Sequence, residues 1–319
     1  MTASGRPAVV ALGGGHGLAA SLSALRRVTD RLTAVVTVAD DGGSSGRLRR
    51  ELGVLPPGDL RMALAALCGD DAWDLTWREV VQHRFQGEGD LHGHSVGNLL
   101  IVALWEIVGT DPVAGLDWVG RLLGARGRVL PMSTVPLDIV ARVQDAEGSG
   151  SVTEVVGQVA AATAGSRVLD VALLPDGAPA CPQAIEALLA ADWVVLGPGS
   201  WFTSVIPHLL VPDLAEAITR TPAARCLVVN LDPQSGETAG FAPETHLDEL
   251  VRHAPDLRLD VVLADAETVG DPAALGAAAG RLGARLVLAP LRAPDGSPRH
   301  DPVLLAAAFD QVMSGPGQE

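Results

Sequence analysis

Short apolar runs bounded by glycine alternate along the whole chain with stretches of helical spacing. Residues 8–12 and 32–38 are such runs and read as buried strands. Residues 129–134 and 139–143 read as parts of further strands, and 168–174, 193–196, 226–230, 259–263 and 286–288 complete the set. Between them Leu18, Leu22 and Leu25 predict a helix over 18–28, and similar patterns predict helices over 60–67, 99–108, 151–166, 181–190, 205–210 and 303–312. Asp59 reads as the N-cap of the 60–67 helix, with Arg61 turned toward the site. Trp73, Trp77, Val80, Val81 and Phe85 predict a core-packed helix within 68–88. Strands that alternate with helices imply an α/β protein with a mostly parallel sheet and helices on both faces. Residues 1–319 read as one elaborated α/β domain. Helical segments inserted within 68–88 and beyond Asp145 form a lobe over the site, 146–151 is the most linker-like stretch, and 313–319 is a frayed tail.

The 319 residues are 48% hydrophobic and 19% charged, enough for a sizeable core. A formal charge of −15 argues against nonspecific nucleic-acid binding, which needs a basic footprint. All 23 basic residues are arginine. The lack of lysine removes a P-loop lysine, a Schiff-base lysine and a lysine general base; the lack of tyrosine removes a phenolic acid. Cys68, Cys181 and Cys226 are scattered without metal-ligand spacing and read as buried thiols in a reducing compartment. Residues 1–7 lack a signal-peptide pattern and no apolar run reaches membrane-spanning length, so the expectation is a cytoplasmic protein without membrane insertion.

The chemistry gathers at strand ends. Gly13, Gly14, Gly15, His16 and Gly17 follow the first strand and open a helix, the geometry that sets helix-end N–H groups against a phosphate. The dinucleotide fingerprint is not met, because Leu18 stands at the third glycine position. After residue 38 come Asp40, Asp41, Gly42, Gly43, Ser44 and Ser45. The two carboxylates suit either ribose hydroxyls or a hydrated Mg²⁺ beside a phosphate, the plainer alternative being an acidic surface turn. Gly93-His94-Ser95-Val96-Gly97 matches the nucleophile elbow of hydrolases, but a turn, not a strand, precedes it. Ser95 and Asn98 fit better as polar groups on a loop that opens a helix. Gly197, Pro198, Gly199 and Ser200 form a second glycine junction, with Thr203 and Ser204 placed to cap or to donate to phosphate. The histidines lack partners at zinc spacing, so no metal site is assigned, with Asp40 and Asp41 as the alternative for Mg²⁺.

These motifs, together with Pro56-Pro57-Gly58-Asp59 and Gly236-Glu237-Thr238, stand in the order found in the YvcK family of gluconeogenesis factors, which the chain resembles from about Val9 to Arg299-His300-Asp301. That family is similar in turn to CofD, the phospholactate transferase of coenzyme F420 synthesis. The resemblance implies a Rossmann-like fold and a cytoplasmic regulatory protein of cell shape, cell wall and central carbon metabolism. It implies binding of UDP-sugars, notably UDP-N-acetylglucosamine, with no required cofactor and no catalytic residue. By the same resemblance, Gly13–Gly17 and the loop of Gly197, Gly199, Ser200 and Thr203 approach the diphosphate. Thr37, Asp40, Asp41 and Asn98 line the nucleotide side, with Gly42, Ser44, Ser45, His94 and Ser95 beside them. Asn230 comes from a neighbouring strand end and Arg299 answers the ligand's charge. His16 stands where the family usually has threonine, and Phe241 where it commonly has a ligand-contacting tyrosine. The alternative is a Mg²⁺-dependent transferase of phosphate-linked groups, although 37–41 (Thr-Val-Ala-Asp-Asp) is closer to the regulators than to the asparagine–threonine–glycine run of the transferases. A protein partner in cell-wall regulation and a homodimer complete the expectations.

Overall fold

The computed structural model describes residues 5–109, 111–144, 151–163, 167–234, 237–238 and 240–314. Its strands in chain order are β1 (Val9–Gly13), β2 (Leu32–Val36), β3 (Arg128–Pro131), β4 (Asp138–Gln144), β5 (Val152–Val156), β6 (Arg167–Leu174), β7 (Trp193–Leu196), β8 (Ala224–Val228), β9 (Val261–Asp265) and β10 (Arg285–Ala289). Seven of them form a parallel sheet in the order β10-β9-β8-β7-β1-β2-β3. The fold is therefore α/β and Rossmann-like, with helices packed around a parallel sheet. Strands β1 and β9 are buried along their whole length, and the apolar runs of β2 and β7 nearly so. Strands covered on both faces need continuous hydrophobicity, which is why the sequence shows runs and not alternation there.

The sheet winds outward in two directions from β1. Strands β2 and β3 succeed it on one side, while β7, β8, β9 and β10 succeed one another on the other. The order reverses between β1 and β7, paired in register from Val9–Trp193 to Leu12–Leu196. At such a reversal the connecting loops leave in opposite directions and open a crevice at the strands' carboxyl ends.

The helices are α1 (Gly15–Val28), α2 (Gly43–Leu52), α3 (Pro57–Leu67), α4 (Ala72–Gln82), α5 (Val96–Val108), α6 (Pro112–Leu122), α7 (Gln158–Thr163), α8 (Pro182–Leu189), α9 (Pro207–Leu210), α10 (Pro212–Arg220), α11 (Pro243–His253), α12 (Pro272–Arg281) and α13 (Pro302–Met313). Proline opens α3, α6, α8 and α10 to α13, where its missing N–H costs no intrahelical bond. Leu18, Leu22 and Leu25 make the buried stripe of α1 as their spacing predicts.

Several expectations are corrected. Asp59 is not an N-cap: α3 begins at Pro57 and Asp59 lies inside its first turn. Helix α4 packs on the core only in part: Val81 is buried and Trp77 half-buried against the core, while Trp73 is 60% exposed and tilts against Trp77 at 5.7 Å. The helix expected over 151–166 is divided between strand β5 and the short α7. Strands β4, β5 and β6 stand apart as an antiparallel sheet in the order β5-β4-β6, so 139–143 and 168–174 do not belong to the parallel sheet. Residues 205–210 split into a π-helical turn at Trp201–Val205 and the short α9. The linker at 146–150 and the tail beyond Ser314 lie outside the described residues, as does Gly236.

Candidate functional site

The two glycine loops meet at the switch point. Gly15, which opens α1, has φ +55°, a left-handed conformation open to glycine. A Cβ on Gly17 would lie 2.2 Å from the Pro198 carbonyl oxygen and 2.5 Å from Gly199 Cα, so the first turn of α1 rests directly on the second loop. The Ser21 hydroxyl donates to the Gly197 carbonyl at 2.8 Å and ties the same two segments. Asn230, at the end of β8, accepts from Gly199 N–H and donates back to its carbonyl, both at 2.8 Å. The Asn230 amide therefore holds the loop in place.

Glu237, inside a recognised motif but not singled out from the sequence, organises the far side of that loop. Its carboxylate accepts from the Ser200 hydroxyl (3.0 Å), the Phe202 N–H (3.1 Å) and the Thr203 hydroxyl (2.7 Å). Burial raises its pKa against the pull of these three donors. The hydroxyl protons of Ser200 and Thr203 are thus engaged, leaving their lone pairs for any further contact.

Around Gly14 the loop is tight and polar. A Cβ there would stand 2.4 Å from Thr37 Cγ2, 2.5 Å from Asp59 Oδ2 and 3.2 Å from Ser204 Oγ. Thr37 is fully buried, and neither its hydroxyl nor Asp59 Oδ2 has a hydrogen-bond partner. Unpaired buried oxygens are costly, and Asp59 Oδ2 beside Gly14 is one for which the protein itself supplies no partner. Burial, reinforced by the nearby Asp40 charge, pushes the Asp59 carboxyl up to about 7 against the pull of the Gly15 N–H and Arg61. Asp40 accepts from the Gly42 N–H at 2.9 Å and is likewise raised, first by burial. A Cβ at Gly58 would meet Ser45 Oγ at 2.4 Å and Asp40 Oδ2 at 2.8 Å, which places Asp40 against the start of α3. Asp41 points elsewhere. It accepts from the Val159 N–H at 3.0 Å and lies against Gly157, fastening the loop to the small antiparallel sheet. The carboxylate that neighbours Asp40 across the site is Asp59, a residue whose burial depends on α1 and α3 meeting and leaves no local sequence signal.

Ser44, at the start of α2, is the hub of a second network. His94 Nδ1 lies 2.9 Å from its hydroxyl oxygen, which also accepts from Asn98 Nδ2 at 3.0 Å; Asn98 Oδ1 accepts from Arg61 Nε at 2.9 Å. Burial holds the His94 pKa down, favouring the neutral ring. The Ser95 hydroxyl donates to the Val81 carbonyl at 2.9 Å, and the residue before α5 forms an isolated bridge to Arg84. An elbow strand is missing there, as the preceding turn implies.

Of the remaining expected residues, His16 is exposed on the first turn of α1. Phe241 is buried edge-on against Phe202 and His246, with centroids at 6.2 and 5.5 Å. Arg299 is exposed, pairs with Asp295, and stands in the loop between β10 and α13. Among the described residues no group of three or more His, Cys, Asp or Glu side chains is placed to hold a metal, and no helix is long and apolar enough to cross a membrane.

A parallel sheet reversing at β1 and β7, with polar loops closing over the reversal, defines an α/β protein of the Rossmann-like class. The chain belongs to the CofD family: the family model described as 2-phospho-L-lactate transferase CofD matches residues 9–279, and its curated relatives carry the name gluconeogenesis factor. A Mycobacterium tuberculosis protein provisionally named a gluconeogenesis factor is 54% identical over 310 residues, covering 96% of this chain and 90% of that one. The gluconeogenesis factor of Bacillus subtilis is 38% identical over 266 residues, covering 83% and 81%. A crystal structure of a UPF0052 family member from Bacillus halodurans matches with a TM-score of 0.85 at 33% identity, covering 96% of this chain and all of that one.

Proposed function

We propose that the protein binds a UDP-linked sugar of the UDP-N-acetylglucosamine type in the switch-point crevice. It acts there as a regulatory protein of cell-wall growth, cell shape and central carbon use, without turnover. The observation that carries this reading is the buried, unpartnered Asp59 Oδ2 beside Gly14, where the two glycine loops meet; the Thr37 hydroxyl is buried and unpartnered as well. A hydroxyl donor of a sugar or ribose would satisfy the Asp59 oxygen, while loop N–H groups would face the diphosphate. The relatives' name supports the metabolic assignment. The resemblance to the YvcK family supplies the ligand class and the cytoplasmic setting; a homodimer rests on the frequency of twofold assemblies alone.

A second reading, Mg²⁺-dependent transfer of a phosphate-linked group, draws on the CofD family model and on the acidic pair across the site. Asp40 and Asp59, with the Thr37 hydroxyl, offer the all-oxygen donors that a hard divalent cation takes, and Asp59 Oδ2 has no other partner. Asp41 is committed to Val159 and would not join them. A cation there would neutralise phosphate charge.

Calorimetric titration with UDP-N-acetylglucosamine, UDP-glucose, UDP and GDP, each with and without Mg²⁺, separates the two. Tight UDP-sugar binding with the ligand recovered intact supports the regulator. Preference for GDP that requires Mg²⁺ moves the protein to the transferase branch. No thermal stabilisation by millimolar UDP-sugar sinks the first reading, because a ligand of the native state must raise apparent stability.

A further inference from the structure

Beside the crevice, on the helical side of α1, lies a cavity of about 470 Å³ between α1, α3 and the end of α4. Its size falls within the roughly 300–1,000 Å³ of small-ligand sites. His16 and Ser23 reach it from α1, Arg61 from α3, and Gln82 and Arg84 from the end of α4; among the described residues no carboxylate lines it. In a chain with a formal charge of −15 this is an unusual concentration of cationic groups. Arg61 is only 5% exposed. Its stem is pinned by α5, where a Cβ on Gly97 would stand 2.8 Å from Arg61 Cδ, and its Nε is fixed on Asn98. The guanidinium is therefore held in one place and not left to wander in solvent.

Two guanidiniums in one cavity repel. Burial and the Arg84 charge lower the Arg61 pKa to about 10, and Asp59 and Asp40, acting from the crevice side, offset only part of that. Arg84 is anchored by a 3.0 Å bond from Nη1 to the Gly93 carbonyl. His16 extends from the helix end where the macrodipole is positive.

We propose that this cavity is an anion subsite for a phosphoryl or diphosphate group, with Arg61 and Arg84 as its guanidinium donors and His16 as a third, adaptable one. Planar guanidiniums pair with phosphate oxygens through two parallel N–H bonds; here Arg61 is the buried member, and Arg84 and His16 meet the anion from the exposed rim. The identification of the anion as the diphosphate of a nucleotide sugar rests on the proposed function; the phosphate chemistry does not. Arg61 then joins the two halves of the site. It touches the Asn98–Ser44–His94 network through Nε, and the charges of Asp59 and Asp40 act on it from the crevice side.

The test is a calorimetric titration of the full chain with sodium pyrophosphate, then with UDP-N-acetylglucosamine, at fixed ionic strength. It compares the wild type with His16→Ala, Arg84→Gln and, as a control outside the cavity, Arg121→Ala. The wild type is expected to bind pyrophosphate. Arg84→Gln should weaken it about tenfold or more, the loss of one charge-assisted bond, His16→Ala should weaken it by less, and Arg121→Ala should leave it unchanged. Thermal midpoints near the wild-type value exclude misfolding as the cause, and His16→Ala alters an exposed side chain. Absent pyrophosphate binding, or equal weakening by Arg121→Ala, overturns the subsite. Pyrophosphate binding sensitive to Arg84→Gln, with no binding of the UDP-sugar, supports a subsite for free phosphates and sinks the nucleotide-sugar reading instead. UDP-sugar binding indifferent to both Arg84→Gln and pyrophosphate does the reverse.

Discussion

Replacing Asp59 by asparagine isolates one buried charge. The side chain keeps its shape and can still accept from the Gly15 N–H, but it no longer ionises. The native carboxyl titrates at about 7, against an ordinary value of 3.8. At about 1.36 kcal/mol for each tenfold change in proton affinity, that difference corresponds to up to about 4 kcal/mol. The sign follows from which state holds the proton. Between 3.8 and about 7 the native protein binds it and the unfolded chain does not, so stability falls as the pH rises and levels off above about 7. Urea denaturation in metal-free buffer, across that range and above it, measures the effect in wild type and Asp59→Asn. The variant should lack this component of the slope and become the more stable protein on the alkaline side. A stability difference between the two that is constant with pH, or that favours the wild type increasingly as the pH rises, would refute the reasoning.

Gly17→Ala should destabilise by about 2–3 kcal/mol, because the added carbon runs into backbone that has little room to give. The Pro198 oxygen would lie 2.2 Å from it and Gly199 Cα 2.5 Å. A lowered urea midpoint checks this, and an unchanged one would show that the two loops are not in contact. Glu237→Gln should cost about 2 kcal/mol or more, since an amide cannot accept from all three donors of the π-helical turn; a thermal midpoint equal to wild type would show that the turn stands without it. Asp265 is buried, which works to raise its pKa, but the N–H groups of Leu291, Arg292, Glu267 and Thr268 that it accepts from hold it below the ordinary 3.8. Asp265→Asn should lose about 2 kcal/mol at neutral pH. That deficit should shrink on acidification below 3.8, because the wild-type advantage disappears as its carboxylate protonates. A deficit that grows in acid would contradict the assignment.

The parallel sheet was legible because both of its faces are covered. Strands such as β1 and β7 have no polar positions to blur their ends, and the glycines after them mark where the chain turns. Strand β5 was not legible, since Val152, Thr153 and Glu154 are exposed at the edge of a small sheet and carry no burial pattern. Its valines happen to repeat at helical spacing. Trp73 of α4 misled for a related reason: an apolar stripe tells which face is hydrophobic, not that all of it is covered, and only Trp77 and Val81 reach the core. At the site, the loops were legible as glycine and serine clusters, but the division of work among their residues was not. Asn230 and Glu237 hold loops that are distant in sequence, and Asp59 acquires its character only where Gly14 comes down on it.

The pairing of β1 with β7 joins segments about 184 residues apart, as the bond from Ala8 to Asp192 shows. During synthesis at about 5–20 residues per second, roughly 10–40 s separate the emergence of one strand from that of its neighbour. Through that interval β1, β2 and β3 can pair among themselves while one edge of β1 lies open, an exposed apolar template for misassociation. Until Trp193–Leu196 arrives, only three of the seven parallel strands have been made, and no part of the chain yet exists that could cover that edge of β1 as β7 does.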